Sequence, residues 1–271
     1  MVHMSVTPVL ALRGVSQRFG AVQALIDIEL EIYAGEVVAL VGDNGAGKST
    51  LVKTIAGVHP IDRGSRGGGG GGGRIEWGGV PVSIDRPQDA QRLGVATVYQ
   101  DLALCDNLDV VGNLYLGREL HRRGVLDEVE MERRARELLH TLAIRIPSVR
   151  IPVASLSGGQ RQTVAIARSL LGEPRLVILD EPTAALGVEQ TAQVLDLVER
   201  LRERGLAVLL VSHNMADVKA VADRVAVLRL GRNNGVFDVR STSQEDIVSA
   251  ITGATENAVT RRAARTAEVQ Q

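Results

Sequence analysis

The chain has 271 residues, a formal net charge of −1 and 45% hydrophobic residues, enough to bury a sizeable core and too apolar for a disordered or fibrous protein. Near-neutral charge removes any general pull toward nucleic acid or anionic lipid, and one Trp, three Tyr and two Phe are too few for a base-stacking platform. No apolar stretch is long enough to cross a membrane, the N-terminus lacks the basic-then-apolar order of a secretion signal, and the single cysteine, Cys105, excludes an internal disulfide and a cysteine zinc cluster, so a cytosolic, reducing compartment is expected.

The first strongly apolar run, Val37 to Val41, reads as a buried strand and is followed by Gly42-Asp43-Asn44-Gly45-Ala46-Gly47-Lys48-Ser49-Thr50, which opens a helical pattern. Seven consecutive glycines, Gly67 to Gly73, have no side chains to pack and are expected to form a flexible loop over 64–73. Val95 to Tyr99 is the second strand of the parallel type. Residues 101–170 carry mostly helical pattern and no long strand, including an amphipathic helix from Met131 to Ile144 with Met131, Ala135, Leu138, Leu139 and Leu142 on one face. Ser157-Gly158-Gly159-Gln160 then starts another helix with the spacing of a capping box. Leu176 to Leu179 is a third strand, and a helix from Val188 through Leu201 stops at Gly205. Leu206 to Val211 and Val225 to Leu228 complete the strands, and the polar stretch from Gly253 to Gln271 is expected to fray. Short β-branched strands alternating with helices define an α/β protein with a mainly parallel central sheet and a helical insertion.

The residues that follow these strands carry the chemistry, because ligands of open α/β sheets bind beyond the carboxyl ends of the strands. The segment Gly42 to Thr50 matches G-x-x-x-x-G-K-[ST] in the strand-to-helix context that a phosphate loop needs. Glycines let backbone N–H groups converge on phosphate oxygens, the helix N-terminus adds partial positive charge, Lys48 supplies a cation and the Ser49 hydroxyl can ligate Mg²⁺. Only three lysines occur in the chain, so a compact ammonium at position 48 is a selective choice over the guanidinium used elsewhere. After the third strand, Asp180 can hold the metal and Glu181 can polarise an attacking water. Gln100 follows the second strand and Ser212-His213 the fourth. His213 could contact a γ-phosphate or satisfy a buried hydrogen bond, and Ser157 could serve a phosphate or only a well-capped helix; local physics leaves both pairs open. His3, His59, His121 and His140 read as ordinary surface or core residues.

The ordered set of phosphate loop, Gln100, Leu156-Ser157-Gly158-Gly159-Gln160, Asp180-Glu181 and His213 resembles the nucleotide-binding subunit of ATP-binding cassette (ABC) transporters over about residues 8–252. The resemblance implies a P-loop NTPase fold with an antiparallel β subdomain and a helical signature subdomain. The boundaries expected from it are 1–101 and 171–252 for the two parts of the ATP-binding core, 102–170 for the helical subdomain and 253–271 for the tail. It further implies that Phe19 stacks on adenine, that Asn44 to Thr50 with Gln100 and Ser157 to Gln160 contact nucleotide, and that Ser49, Gln100 and Asp180 attend the Mg²⁺. Glu181 and His213 take the catalytic roles. Ser157 would complete the γ-phosphate site of a second copy in a head-to-tail homodimer.

More narrowly, Val98 to Leu104, Asn113 to Glu119 and Ser212 to Met215 resemble the ATPases of bacterial simple-sugar importers of the ribose, xylose and fructose type, in a single-cassette form. That implies ATP hydrolysis coupled to uptake through an integral membrane permease, with an extracytoplasmic sugar-binding protein as an indirect partner, at the cytoplasmic face of the membrane. Two other readings stay in view: a cassette ATPase acting on ribosomes or DNA, and a nucleotide-binding regulator that does not hydrolyse. Two departures from the family pattern stand out: Ala184-Ala185-Leu186-Gly187 lacks the acid that usually closes this tetrapeptide, and the stretch from Ser65 to Gly73 replaces a short strand-bearing segment of ordinary composition.

Overall fold

The structure is a computed structural model that describes residues 7–62 and 73–253. The glycine run as far as Gly72 and the C-terminal tail after Gly253 lie outside the described residues.

The chain opens with strands β1 (Leu10–Phe19) and β2 (Val22–Ile32), an antiparallel pair with several register shifts. Next come β3 (Val37–Val41) and helix α1 (Lys48–Ile55), then the short strands β4 (Arg74–Trp77) and β5 (Val80–Val82). Helix α2 (Pro87–Leu93) leads to β6 (Val95–Val98). The insertion holds α3 (Val110–Tyr115), the two-residue strands β7 (His121–Arg122) and β8 (Val125–Leu126), α4 (Glu128–Thr141) and α5 (Gly158–Leu170). The chain then alternates β9 (Leu176–Asp180), α6 (Val188–Glu203), β10 (Ala207–Val211), α7 (Met215–Val221) and β11 (Arg224–Arg229) before β12 (Arg232–Asp238) and α8 (Gln244–Thr252).

Two sheets organise the core. One is antiparallel with strand order β2-β1-β4-β5; the other has order β12-β11-β3-β10-β9-β6 and is parallel apart from its edge strand β12. The central strands read as unbroken apolar runs because both of their faces are covered. Side chains alternate across the sheet with the two-residue period of a strand. Val38 and Leu40 pack with Ile178 and Leu209 toward the antiparallel sheet and α1, whereas Val37, Ala39 and Val41 pack with Val177 and Leu179 toward α5 and α6. Each fully buried Val or Leu contributes about 1.5–3 kcal/mol, so this double-sided packing fixes the heights at which the strand ends emerge.

The helix expected over 131–144 is shifted toward the N-terminus, to Glu128–Thr141. Asp127 caps its start by accepting from the Glu130 amide, and Ala143, at φ 51°, ends the helical run before Ile144. Met131, Ala135 and Leu139 form its buried face, as their spacing requires. The strand expected over 95–99 stops at Val98.

Candidate active site

The loop between β3 and α1 is shaped by steric necessity. Gly42 has φ 153°, and a Cβ there would lie 2.2 Å from the carbonyl oxygen of Leu228, so no larger residue fits between the loop and β11. The Ala46 amide donates to the Asp43 carbonyl at 3.0 Å, closing the turn. Lys48 folds back across the loop, its Nζ donating to the carbonyls of Gly42 at 2.6 Å and Asp43 at 3.1 Å. Helix α1 begins with Gly47 at the cap position and no side-chain cap, so its first-turn amides have no side chain to satisfy them. Open amides, a helix dipole and a tethered ammonium make an anion-binding end.

The neighbouring strand ends point acids and a histidine toward the same edge. The parallel register pairs Asp180 with Val211 and Leu179 with Val98, which sets Tyr99 and exposed Gln100 beside Asp180. Burial, reinforced by the charge of Glu181, pushes the Asp180 carboxyl above its usual range, while Lys48 and Lys53 pull the other way. Burial, with the charge of Asp180 added, likewise raises the Tyr99 phenol. Glu181 sits at φ 51°, a conformation that costs about 1–3 kcal/mol. It is held there by donation from its amide to the Val211 carbonyl at 3.0 Å and by the Ala184 amide, which donates to its carbonyl at 3.1 Å. The strained backbone aims its carboxylate at His213, whose Nδ1 lies 2.8 Å from Glu181 Oε2. The His213 side chain stays 73% accessible, so the pair faces the open side of the sheet and is no buried structural bond.

A second layer supports this pair. Thr183 Oγ1 donates to Asp217 Oδ2 at 2.6 Å, and Asp217 is only 5% exposed. The bond joins the turn after Glu181 to helix α7, which follows His213. Asn214 caps α7 by accepting from Ala216, and the Asn214 amide donates to Ser212 Oγ. Sequence reading passed over Thr183 and Asp217, because nothing in the local sequence marks an isolated aspartate as buried or pairs it with a threonine 34 residues earlier.

Ser157 to Gln160 form the expected capping box. The Gln160 amide donates to Ser157 Oγ at 3.3 Å and the Ser157 amide donates to Gln160 Oε1 at 3.0 Å. A Cβ on Gly159 would fall 2.8 Å from Gln190 Cβ, so the glycine is also required for the approach of α5 to α6. Among the described residues no hydrogen bond joins this segment to the loop 42–50. Phe19, 43% exposed, meets His59 edge-on with ring centroids 5.0 Å apart. His59, read from the sequence as a surface or core residue, is partly buried and makes this contact.

Residues 25–184 match the protein-family model described as ABC transporter. The chain belongs to the ABC transporter family. Two curated ABC relatives align along nearly their whole length. The fructose import ATP-binding protein FrcA of Rhizobium meliloti is 41% identical over 261 residues, spanning 93% of this chain and 97% of the relative. The xylose/arabinose import ATP-binding protein XylG of Sulfolobus acidocaldarius is 42% identical over 243 residues, spanning 90% and 93%. Among solved ABC structures, cbiO1 of Clostridium perfringens, part of the complex cbiONQ, superposes with a TM-score of 0.74 at 27% identity, covering 89% of this chain and 93% of that one. The antiparallel sheet, mixed six-stranded sheet and helical insertion described above are thus an ABC cassette fold.

Proposed function

We propose that this chain is the ATP-binding and hydrolysing subunit of an ABC importer, powering uptake of a simple sugar through a membrane permease. The observation that carries the catalytic part is the 2.8 Å contact between Glu181 and His213 on adjacent strand ends, beside the open phosphate loop. The sugar-import part is supported by the two relatives, whose names concern fructose and xylose or arabinose import.

The chain's own residues divide the work by placement. Phe19 receives the adenine on its exposed face, and the amides of Asn44 to Thr50 with the Lys48 ammonium hold the phosphates. The donor set fits a hard divalent cation that shares its shell with phosphate. Ser49 offers a hydroxyl on the first turn of α1, Asp180 offers a half-buried carboxylate, and Gln100 offers an amide oxygen beside it. Among the described residues no group of three or more His, Cys, Asp and Glu could enclose an ion without such a ligand. When bound, Mg²⁺ would supply positive charge that neutralises the phosphates and favours the ionised Asp180 carboxylate, which burial and, after it, Glu181 otherwise disfavour. Glu181 accepts a proton from the attacking water, and His213 orients Glu181 and reaches the terminal phosphate.

In this scheme catalysis is mostly positioning and electrostatics. The capped N-terminus of α5 lacks any hydrogen bond to its own phosphate loop among the described residues, which supports a head-to-tail pair in which Ser157 to Gln160 serve the partner's nucleotide. No described helix is long and apolar enough to cross a membrane.

The test is to purify the chain from gently solubilised membranes, identify its partner and measure hydrolysis with candidate sugars. A permease with sugar-stimulated ATPase is the expected result. Recovery with ribosomes or DNA instead would overturn the importer assignment.

A further inference from the structure

The loop that leaves α4 and the middle of α6 border a cavity of about 310 Å³, with Thr163 of α5 in its wall. Its size is at the lower end of the roughly 300–1,000 Å³ of pockets that hold small ligands, and it shares no residue with the loop 42–50. The chain makes the space locally. Ala143, at φ 51°, turns the backbone out of the helical run, and Gln160 Nε2 donates to the Arg145 carbonyl at 3.3 Å. Arg145 is thereby anchored beside α5, on a cavity whose far wall carries Gln193, Asp196 and Arg200 of α6.

The polar groups of this cavity divide by chemistry. Arg145 and Arg200 can only donate, and neither has an ion-pair partner among the described residues. Other arginines of the same helices are paired, Arg133 and Arg134 with Glu130, Arg136 with Glu132 and Arg202 with Asp223. Asp196 lies four residues before Arg200, a spacing at which opposite charges on a helix can meet, yet the two form no ion pair. Ionised Asp196 can only accept. Thr163 is 5% exposed, and its Oγ1 already donates to the Gln160 carbonyl at 2.9 Å, so it too can only accept from a ligand. Gln193 can do both. Leu142, Ile144 and Leu197 supply apolar wall, and no aromatic ring lines the cavity.

A ligand that satisfies this lining needs an anionic end for the two guanidiniums, hydroxyl donors for Asp196 and Thr163, and an aliphatic face. A simple dicarboxylate such as succinate has no hydroxyl to offer and is repelled by Asp196; a nucleotide finds no ring on which to stack its base. We propose that this cavity binds a phosphorylated monosaccharide, with Arg145 and Arg200 on the phosphate and Asp196, Gln193 and Thr163 on the sugar hydroxyls. Phosphorylation of an imported sugar is the class of reaction that supplies such a compound. That source rests on the importer reading, whereas the pattern of donors and acceptors stands on the cavity alone.

The test is calorimetric titration of the full chain with fructose 6-phosphate and ribose 5-phosphate, with saturating MgADP and again without nucleotide. At least one of the two is expected to bind about tenfold or more tightly than either fructose or inorganic phosphate, whether or not MgADP is present. Arg145→Gln and Arg200→Gln, both at exposed positions, should each weaken that binding about tenfold or more at unchanged melting temperature, through loss of charge-assisted bonds to phosphate. Asp196→Ala should retain phosphate binding and erase the preference for the sugar phosphate. No binding at millimolar probe, equal affinity for inorganic phosphate, or affinity unchanged in both arginine variants would overturn the site. Binding lost in Lys48→Ala and kept in the arginine variants would overturn it as well, since the probe would then occupy the phosphate loop. A parent chain that binds no MgATP would sink the proposed function, and the titrations without nucleotide would still decide the cavity.

Discussion

Two glycine-flanked helix starts in this chain look alike as sequence and differ as structure. At α1 the cap is Gly47, with no side chain to satisfy the first-turn amides. At α5 the cap is Ser157, which with Gln160 satisfies two donors reciprocally, and Gly159 is consumed by the approach to Gln190. The first is an unfinished structure completed by an anion; the second is complete without one. A phosphate loop is therefore recognised by what its helix lacks, and a capped helix start can serve a ligand only when another molecule brings that ligand to it.

The largest effect that could break this contrast is at Lys48. Removing the ammonium by Lys48→Ala is expected to weaken MgATP binding by on the order of a hundredfold or more, since charge-assisted bonds contribute about 1.5–3 kcal/mol each; equilibrium binding of a fluorescent ATP analogue reads it directly. Retained affinity would mean that the α1 amides suffice. Ser157→Ala should act in the opposite manner, lowering thermal stability by about 1 kcal/mol through loss of the cap while leaving nucleotide affinity of the single chain unchanged. A large affinity loss in the isolated chain would erase the distinction between the two helix starts.

Asp180 sharpens the electrostatic side of the comparison. Its carboxyl is raised above the ordinary value by burial and by Glu181, so the folded chain holds this proton to higher pH than the unfolded chain does. Between the ordinary and the raised pKa the native state binds more protons, and stability contributed by this group falls as pH rises through that window. Asp180→Asn is expected to raise the melting temperature of the nucleotide-free chain near neutral pH, to remove that pH dependence and to lose Mg²⁺-dependent turnover. A lower melting temperature would show that the carboxylate is stabilising. The smallest expected effect is at Gly187, the cap of α6, where a Cβ meets nothing within 4 Å and no side chain caps the helix. Gly187→Asp should add a few tenths of a kcal/mol, measurable as a small shift in the denaturation midpoint.

The same contrast explains what the sequence could disclose. The strands were legible because double-sided burial turns Val37 to Val41 and Leu176 to Leu179 into unbroken apolar runs. The loop, Asp180, Glu181 and His213 were legible because their chemistry sits directly after those runs. Gly42 was legible as a glycine but not as one pressed against the Leu228 carbonyl. Thr183 and Asp217, 34 residues apart, and Arg168 and Ala103, 65 apart, meet only through tertiary packing. The contact of Phe19 with His59 is likewise tertiary, and nothing near either residue in the chain announces it. The β7–β8 pairing is two residues a side and leaves no periodic trace. The early end of α4 depends on the φ of one alanine.

The central claim is that Glu181, held at φ 51° against His213, performs the proton transfer beside a loop that binds nucleotide without its help. Measuring MgATP affinity and turnover together for the parent and Glu181→Gln tests it most directly. The account predicts affinity within a few-fold of the parent and hydrolysis reduced by about 10²–10⁴. Turnover near the parental rate with affinity intact would contradict it.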